Sequence, residues 1–369
     1  MKKIILILSV LFLAACTDDE SSGSSSDNYD RSVLLTNWAD NIILPSYANY
    51  VEKIEVLATA SAQFVTEASL ANLNALRQAY QDAYIAFQQI SMFEIGPAES
   101  LDFRSYTNTY PTNATAIDGI VKAHEYPNLE LPSTRDKQGF PALDFLLYGI
   151  ETSDQAIVNA YATGEFKETY TYYLNAVVER IQTLGNEVNN QWNNSFRDEF
   201  VNNTSSSSTG AVDKMANDFI IHYEKFVRSG KVGIPAGVFS GNIEPQTVES
   251  YYNPEFSKTL LLTALTASKD FFEGKHTLHN MQGESFKSYL DFLNTIKEGE
   301  DLSALIVNQY QESLQLANQL NDNLVFEVEN NNSKMLETYE SMQKNVVFLK
   351  LDMLQALSIS VDYVDTDGD

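Results

Sequence analysis

One cysteine, Cys16, stands in 369 residues. If that thiol is otherwise engaged, intrachain disulfides, thiolate catalysis and a cysteine-built zinc site are all excluded. Cations are also scarce: 24 Lys and Arg face 50 Asp and Glu, a formal net charge of −26. Such a field repels nucleic acid and anionic headgroups and gathers cations, so nucleic acid is not an expected partner. There is no His-Glu-x-x-His zinc motif, no Gly-x-Ser-x-Gly elbow, no phosphate loop and no dinucleotide fingerprint, which removes the commonest hydrolase and nucleotide chemistries. Alternating strand patterns longer than about five residues are missing as well, so the expected class is all-α.

The longest uncharged apolar run near the start, Ile4 to Leu13, is too short to span a bilayer as a permanent helix. With Lys2 and Lys3 before it and Leu13-Ala14-Ala15-Cys16 after it, residues 1–15 read as a lipoprotein signal peptide. The last four residues resemble the bacterial lipobox, which makes Cys16 the lipidation site and the membrane a partner through one anchored terminus. Asp18, Asp19 and Glu20 follow directly. This cluster resembles the export signal of Bacteroidota-type outer-membrane lipoproteins, so the expected location is the outer membrane, facing the periplasm or the cell surface. Residues 16–33 are then a lipidated flexible tether, an N-terminal helical bundle spans 34–201, and a C-terminal bundle spans 210–369 beyond the Asn/Ser tract Asn202 to Thr209.

Apolar residues at helical spacing define the first bundle. They run from Leu34 to Ala62, with Pro45 set to kink or split the helix, and from Leu73 through Tyr80 and Phe87 to Ile90. Arg77 and Glu94 lie near the two ends of that second helix. Residues 97–138 lose periodicity, and Phe103 and Tyr106 would pin them to the body. In the second bundle, His222 shares a helix face with Met215, Phe219 and Phe226, the place of a core histidine. Further helices are expected over Ser257 to Phe272, Ser285 to Ile296, Leu302 to Leu324 and Ser333 to Ser360. His276 and His279 stand near Glu273 and Glu284 in a loop, a conceivable surface metal site. Lys225, Arg228 and Lys231 form a basic island, and Gly233 to Gly241, with Pro235 and Ser240, forms an irregular apolar loop of the kind that lines sites.

The segment with the strongest chemical demand is Gly139 to Gly149. Eight of the nine residues between these glycines are apolar, aromatic or proline, and the ninth is Asp144. A buried carboxylate needs a cation, a metal, backbone N–H groups or trapped water, since an unpartnered one is costly or protonated. Arg228 or Lys231 could supply the cation, locking two bundles together in an interaction module. Glu94, Asp102 or the 233–241 loop could supply further oxygens for a divalent metal.

Gly139-x-Pro141-x-x-Asp144-Phe-Leu-Leu-Tyr148-Gly149 resembles the signature segment of imelysin-like proteins. There, a glycine, a histidine two residues on and a glutamate three beyond precede Phe-Leu-Leu-aromatic-Gly. Leu73 to Pro97, Gly230 to Gly241 and the ending Asp-Tyr-Val-Asp-Thr-Asp-Gly-Asp are similar to other parts of that family, so the likeness extends over residues 35–369. It implies two helical bundles side by side with the signature at their junction. It also implies a link to iron uptake or iron-regulated expression, iron or another divalent cation as cofactor, and an envelope transport partner. The family carries a peptidase label. Here its histidine is Pro141 and its glutamate Asp144, and proline offers no ligand atom. The reading is therefore a binding protein for a metal or small ligand in iron-linked uptake, with metallopeptidase as the alternative. Asp144 and Glu94 are the candidate metal ligands, and no catalytic residue is assigned.

Overall fold

The computed structural model describes residues 27–363. Their regular structure is helical, except for a short hairpin that pairs Ile296–Lys297 with Glu300–Asp301. The expected signal peptide and the lipidation site expected at Cys16, and the acidic ending from residue 364, lie outside the described residues.

Arg31–Asn37, Trp38–Ile43 and Leu44–Thr66 wind as one rod. Pro45 does not split it. Proline lacks an N–H for the carbonyl four residues back, and here the six residues from Trp38 to Ile43 widen to π-helix while the rod continues. The Asn41 carbonyl accepts instead from the Thr277 N–H at 3.0 Å. The Leu70–Ile90 helix, N-capped by Ser69, buries Leu73, Leu76, Tyr80, Tyr84, Phe87 and Ile90 completely or nearly so, as their spacing required. It packs with Leu44–Thr66, which packs in turn against Lys167–Gln191.

Ala211–Ile221 runs into the π-helix His222–Gly233 and packs with Ser257–Glu273, Leu302–Asn318 and Leu324–Val347 as a second group. Ser257–Glu273 also lies against Leu70–Ile90, so these two helices form a seam between the groups. Four expectations change in detail, the first being that the helix expected over Leu302 to Leu324 ends at Asn318. The helix expected from Ser333 starts at Leu324 and bends at Asn331 (φ −149°), and the one expected from Ser285 to Ile296 is only Phe286–Phe292. Residues 97–138 are not irregular throughout: Pro97–Leu101, Phe103–Thr107 and Ala114–Lys122 are short helices, with Phe103 and Tyr106 buried beneath them.

The expected tether also shortens. Tyr29 stacks on Tyr289 with ring centroids 3.9 Å apart and donates to Glu284 at 2.6 Å, while buried Arg31 donates to the Tyr289 hydroxyl. Packing of these side chains starts the folded body before residue 34. No helix among the described residues is long and apolar enough to cross a membrane.

Candidate functional site

Gly139–Asp144 is a short helix that runs into a π turn, Phe145–Gly149, and everything from Gly139 to Leu147 is buried. Gly139 has φ +75°, and a Cβ there would stand 2.2 Å from the Thr107 carbonyl oxygen, so only glycine allows this entry. Pro141 sits in the first turn, where a missing N–H leaves no helix bond unmade.

Asp144 is 1 % exposed. Its Oδ2 accepts from the Tyr252 backbone N–H at 2.7 Å; Oδ1 accepts from the Ser250 hydroxyl at 3.1 Å and the Tyr80 hydroxyl at 3.4 Å. Of the possible partners, the fold uses its own N–H and hydroxyl donors. Ser250 makes this possible by adopting φ +61°, which turns the following backbone N–H groups toward one point, as in anion-holding backbone concavities. Burial pushes the carboxyl up to about 7, while the Tyr252 N–H and the Ser250 and Tyr80 hydroxyls pull it down. A cavity of about 300 Å³ opens over the group, lined among others by Tyr110, Asn113, Pro141, Gln246 and Tyr251.

Arg77 serves the signature segment from outside. Its Nε and Nη2 donate to the Leu147 carbonyl at 3.1 and 2.7 Å, its Nη1 donates to Asp154 at 2.8 Å, and its guanidinium lies 4.2 Å from the Tyr148 ring centroid. It therefore ties down a carbonyl near a helix end, where carbonyls lack intrahelical partners. Tyr148 accepts from Gln81 at 3.3 Å.

Neither proposed cation reaches Asp144. Lys231 is buried and paired with buried Glu249. Glu249 Oε1 also accepts from Gln88 at 3.1 Å, Asn108 at 2.8 Å and Tyr84 at 2.9 Å. Burial lowers the Lys231 ammonium from the usual lysine range, and the Glu249 carboxylate opposes that. Arg228 donates to the Glu224 carbonyl at 3.3 Å and to Ser229 at 3.0 Å. The pairing of Asp144 with Arg228 or Lys231 is thus corrected, because a carboxylate beside Ser250 in the chain takes the lysine.

Glu94 belongs to another cluster. It accepts the Arg104 N–H on both oxygens, at 2.9 and 3.0 Å, while its own N–H donates to Asp218 at 2.6 Å and Arg104 Nη2 donates to Asp218 at 2.9 Å. Burial raises Glu94 to about 8 against the pull of Arg104. Glu94 and Asp144 share no partner, and Asp102 pairs with Arg135, so the expected oxygens do not converge. Among the described residues no group of three His, Cys, Asp or Glu is placed to hold a metal ion. With the Asp144 oxygens engaged by Tyr252, Ser250 and Tyr80 and Glu94 held by Arg104, the residues present do not fit a zinc or iron centre.

The remaining candidates disperse. His222 is a buried core residue 2.8 Å from the Ser91 hydroxyl, and burial holds its imidazole well below its ordinary value. Glu273 pairs with Lys269 and Lys275, and Glu284 accepts from Tyr29 and Ser288, so neither joins His276 or His279. Pro235 is buried with its carbonyl accepting from Glu244, and exposed Ser240 donates to the Asn242 carbonyl. Both shape their own loop. Tyr80, Glu249, Ser250 and Tyr252 were not singled out from the sequence: Tyr80 reads as core, and a left-handed serine leaves no compositional sign.

A family model described as Imelysin matches residues 43–351. The chain belongs to the imelysin family. An iron-regulated protein A from Synechococcus elongatus is 29% identical over 120 residues, 31% of this chain and 32% of that one; the alignment spans about a third of that relative's length. Two solved structures share the fold. One, described as an iron-regulated protein A precursor from Parabacteroides distasonis, superposes with a TM-score of 0.69 at 15% identity, over 86% of this chain and 94% of that one. The other, an imelysin-like protein from Psychrobacter arcticum, gives 0.71 at 16%, over 90% and 97%. Within this imelysin-family chain, Asp144 on the Gly139–Asp144 helix is held by Tyr80 of the Leu70–Ile90 helix and by Ser250 and Tyr252.

Proposed function

We propose that this chain is an envelope-anchored binding member of the imelysin family, acting in iron-linked uptake without cleaving peptides. The observation that carries the reading is the state of the signature carboxyl. Asp144 is saturated by donors of its own fold at the floor of a cavity, and proline stands where the family's ligand would be. A hydrolytic metal centre needs about three protein ligands and an open position, and this donor set supplies neither. The cavity, by contrast, offers amide and hydroxyl groups of Asn113, Gln246 and Tyr110 above the enclosed acid, which suits a small polar ligand. The iron link rests on the family and on the printed name of its cyanobacterial relative. The envelope location rests on the lipobox-like start.

The test is growth of the host with and without an iron chelator. Protein abundance is expected to rise under iron limitation, and deletion is expected to slow uptake of radioactive iron. Unchanged abundance together with unchanged uptake would contradict the reading. So would chelator-sensitive cleavage of an unstructured substrate by the purified full chain supplied with Zn, Fe or Mn, lost in Asp144→Ala.

A further inference from the structure

A second cavity, of about 490 Å³, lies in the seam and shares no lining residue with the pocket over Asp144. Its floor is apolar, built from Ile42 of the first rod, Ile85, Met92 and Phe93, and Leu262 and Phe271 of the Ser257–Glu273 helix. Gln89 and Thr263 add polar groups, and His276 closes one side.

His276 carries the chemical signal. Its Nε2 is buried and has no hydrogen-bond partner among the described residues. Buried polar atoms are nearly always partnered; His276 lines both this cavity and a neighbouring one beside Asn37, Gln282 and Glu284, and its enclosed Nε2 meets an occupant only if the loop shifts. The wall is firmly built. Beside His276, the Thr277 N–H donates to the Asn41 carbonyl that Pro45 cannot reach, and the Thr277 hydroxyl donates to the Ile42 carbonyl at 3.1 Å and lies 2.9 Å from the Ser46 hydroxyl. The backbone distortion in the first rod thus positions the imidazole.

Charge at the rim cancels. Lys275 pairs with Asp270 at 2.5 Å and with Glu273 at 3.2 Å, and Lys269 also pairs with Glu273. Neither an anion nor a cation finds an uncompensated partner there. The volume falls within the range of small-molecule pockets, about 300–1,000 Å³.

We infer that this cavity binds an uncharged amphipathic small molecule, with its apolar body against Ile85, Leu262 and Phe271 and its polar group toward Gln89, Thr263 and the His276 ring. The site takes residues from both helical groups, so its occupant bridges them. It stands independently of the Asp144 pocket.

The test uses N-phenyl-1-naphthylamine, an uncharged fluorophore that brightens in apolar surroundings, titrated into the full chain. A single saturable site is expected. Thr263→Phe and Ala267→Phe, on adjacent turns of one helix, each fill the cavity and should weaken binding by about tenfold or more, with folding checked by thermal melts. His276→Leu, on a half-buried loop, should weaken it several-fold and keeps the test open if a Phe variant does not fold. Asp144→Asn should leave it unchanged. Non-saturable fluorescence, or wild-type affinity in the folded Phe variants or in His276→Leu, would overturn the assignment.

Discussion

A carboxyl group that is 1 % exposed and held by one backbone N–H and two hydroxyls keeps its site in either charge state, and solvent pH selects between them. In the folded chain burial pushes the Asp144 carboxyl up to about 7 from its ordinary 3.8. Between those values the folded state holds a proton that the unfolded chain has lost, so stability falls as pH rises through this window and is level above it. Asp144→Asn removes that dependence. Relative to wild type, the variant should gain up to about 4 kcal/mol between pH 4 and 7, read from urea unfolding at each pH; a constant difference would contradict the burial-driven shift. Glu94, raised to about 8, and Asp213, raised to about 6, add slopes of the same sign, and both proteins share them. Lys231 and Glu249 behave differently because each is the other's charge partner. Lys231→Met leaves a buried carboxylate unpaired and should cost about 3–5 kcal/mol, while adding Glu249→Gln should recover most of it. An additive double variant in the same unfolding assay would count against a coupled pair.

At the scale of elements, the signature segment is defined as much by its entry as by its acid. Gly139→Ala forces a side chain into the left-handed region against the Thr107 carbonyl and should destabilise by more than about 2 kcal/mol. Gly119→Ala, at an exposed position in the Ala114–Lys122 helix with nothing within 4 Å of the new Cβ, should stabilise by about 0.5–1 kcal/mol. Thermal unfolding of the pair checks both signs. The helices themselves were legible where spacing of three and four recurs, as from Leu73 to Ile90, because burial of one stripe dictates that pattern. The need for a partner at Asp144 was legible for the same reason: eight apolar neighbours leave a charge nowhere to go. The partner was not legible, since Ser250 and Tyr252 lie over a hundred residues away and act through a backbone conformation. The π turn before Pro45 was legible only as a disturbance, because proline signals a lost bond without saying how the helix absorbs it.

For the whole molecule, the all-α class and the family followed from the sequence, and the separate destinations of the charged residues did not. Glu94, Lys231 and Asp144, three candidates for one site, end in three networks along the seam, because each buried charge takes the nearest complementary group that folding brings. The N-terminal limit also moved. Tyr29→Ala, which removes a stacked ring and a hydrogen bond to Glu284, should cost about 1–3 kcal/mol, whereas a mere tether residue would cost nothing measurable in the same unfolding assay. Donors of the fold satisfy the Asp144 carboxyl in the place a metal would take. Calorimetric titration of the full chain and of Asp144→Asn with Fe²⁺, Zn²⁺ and Ca²⁺ tests this most directly. The same isotherms are expected for both proteins with each ion; a saturable site present in the wild type and lost in Asp144→Asn would show that a metal occupies the carboxyl.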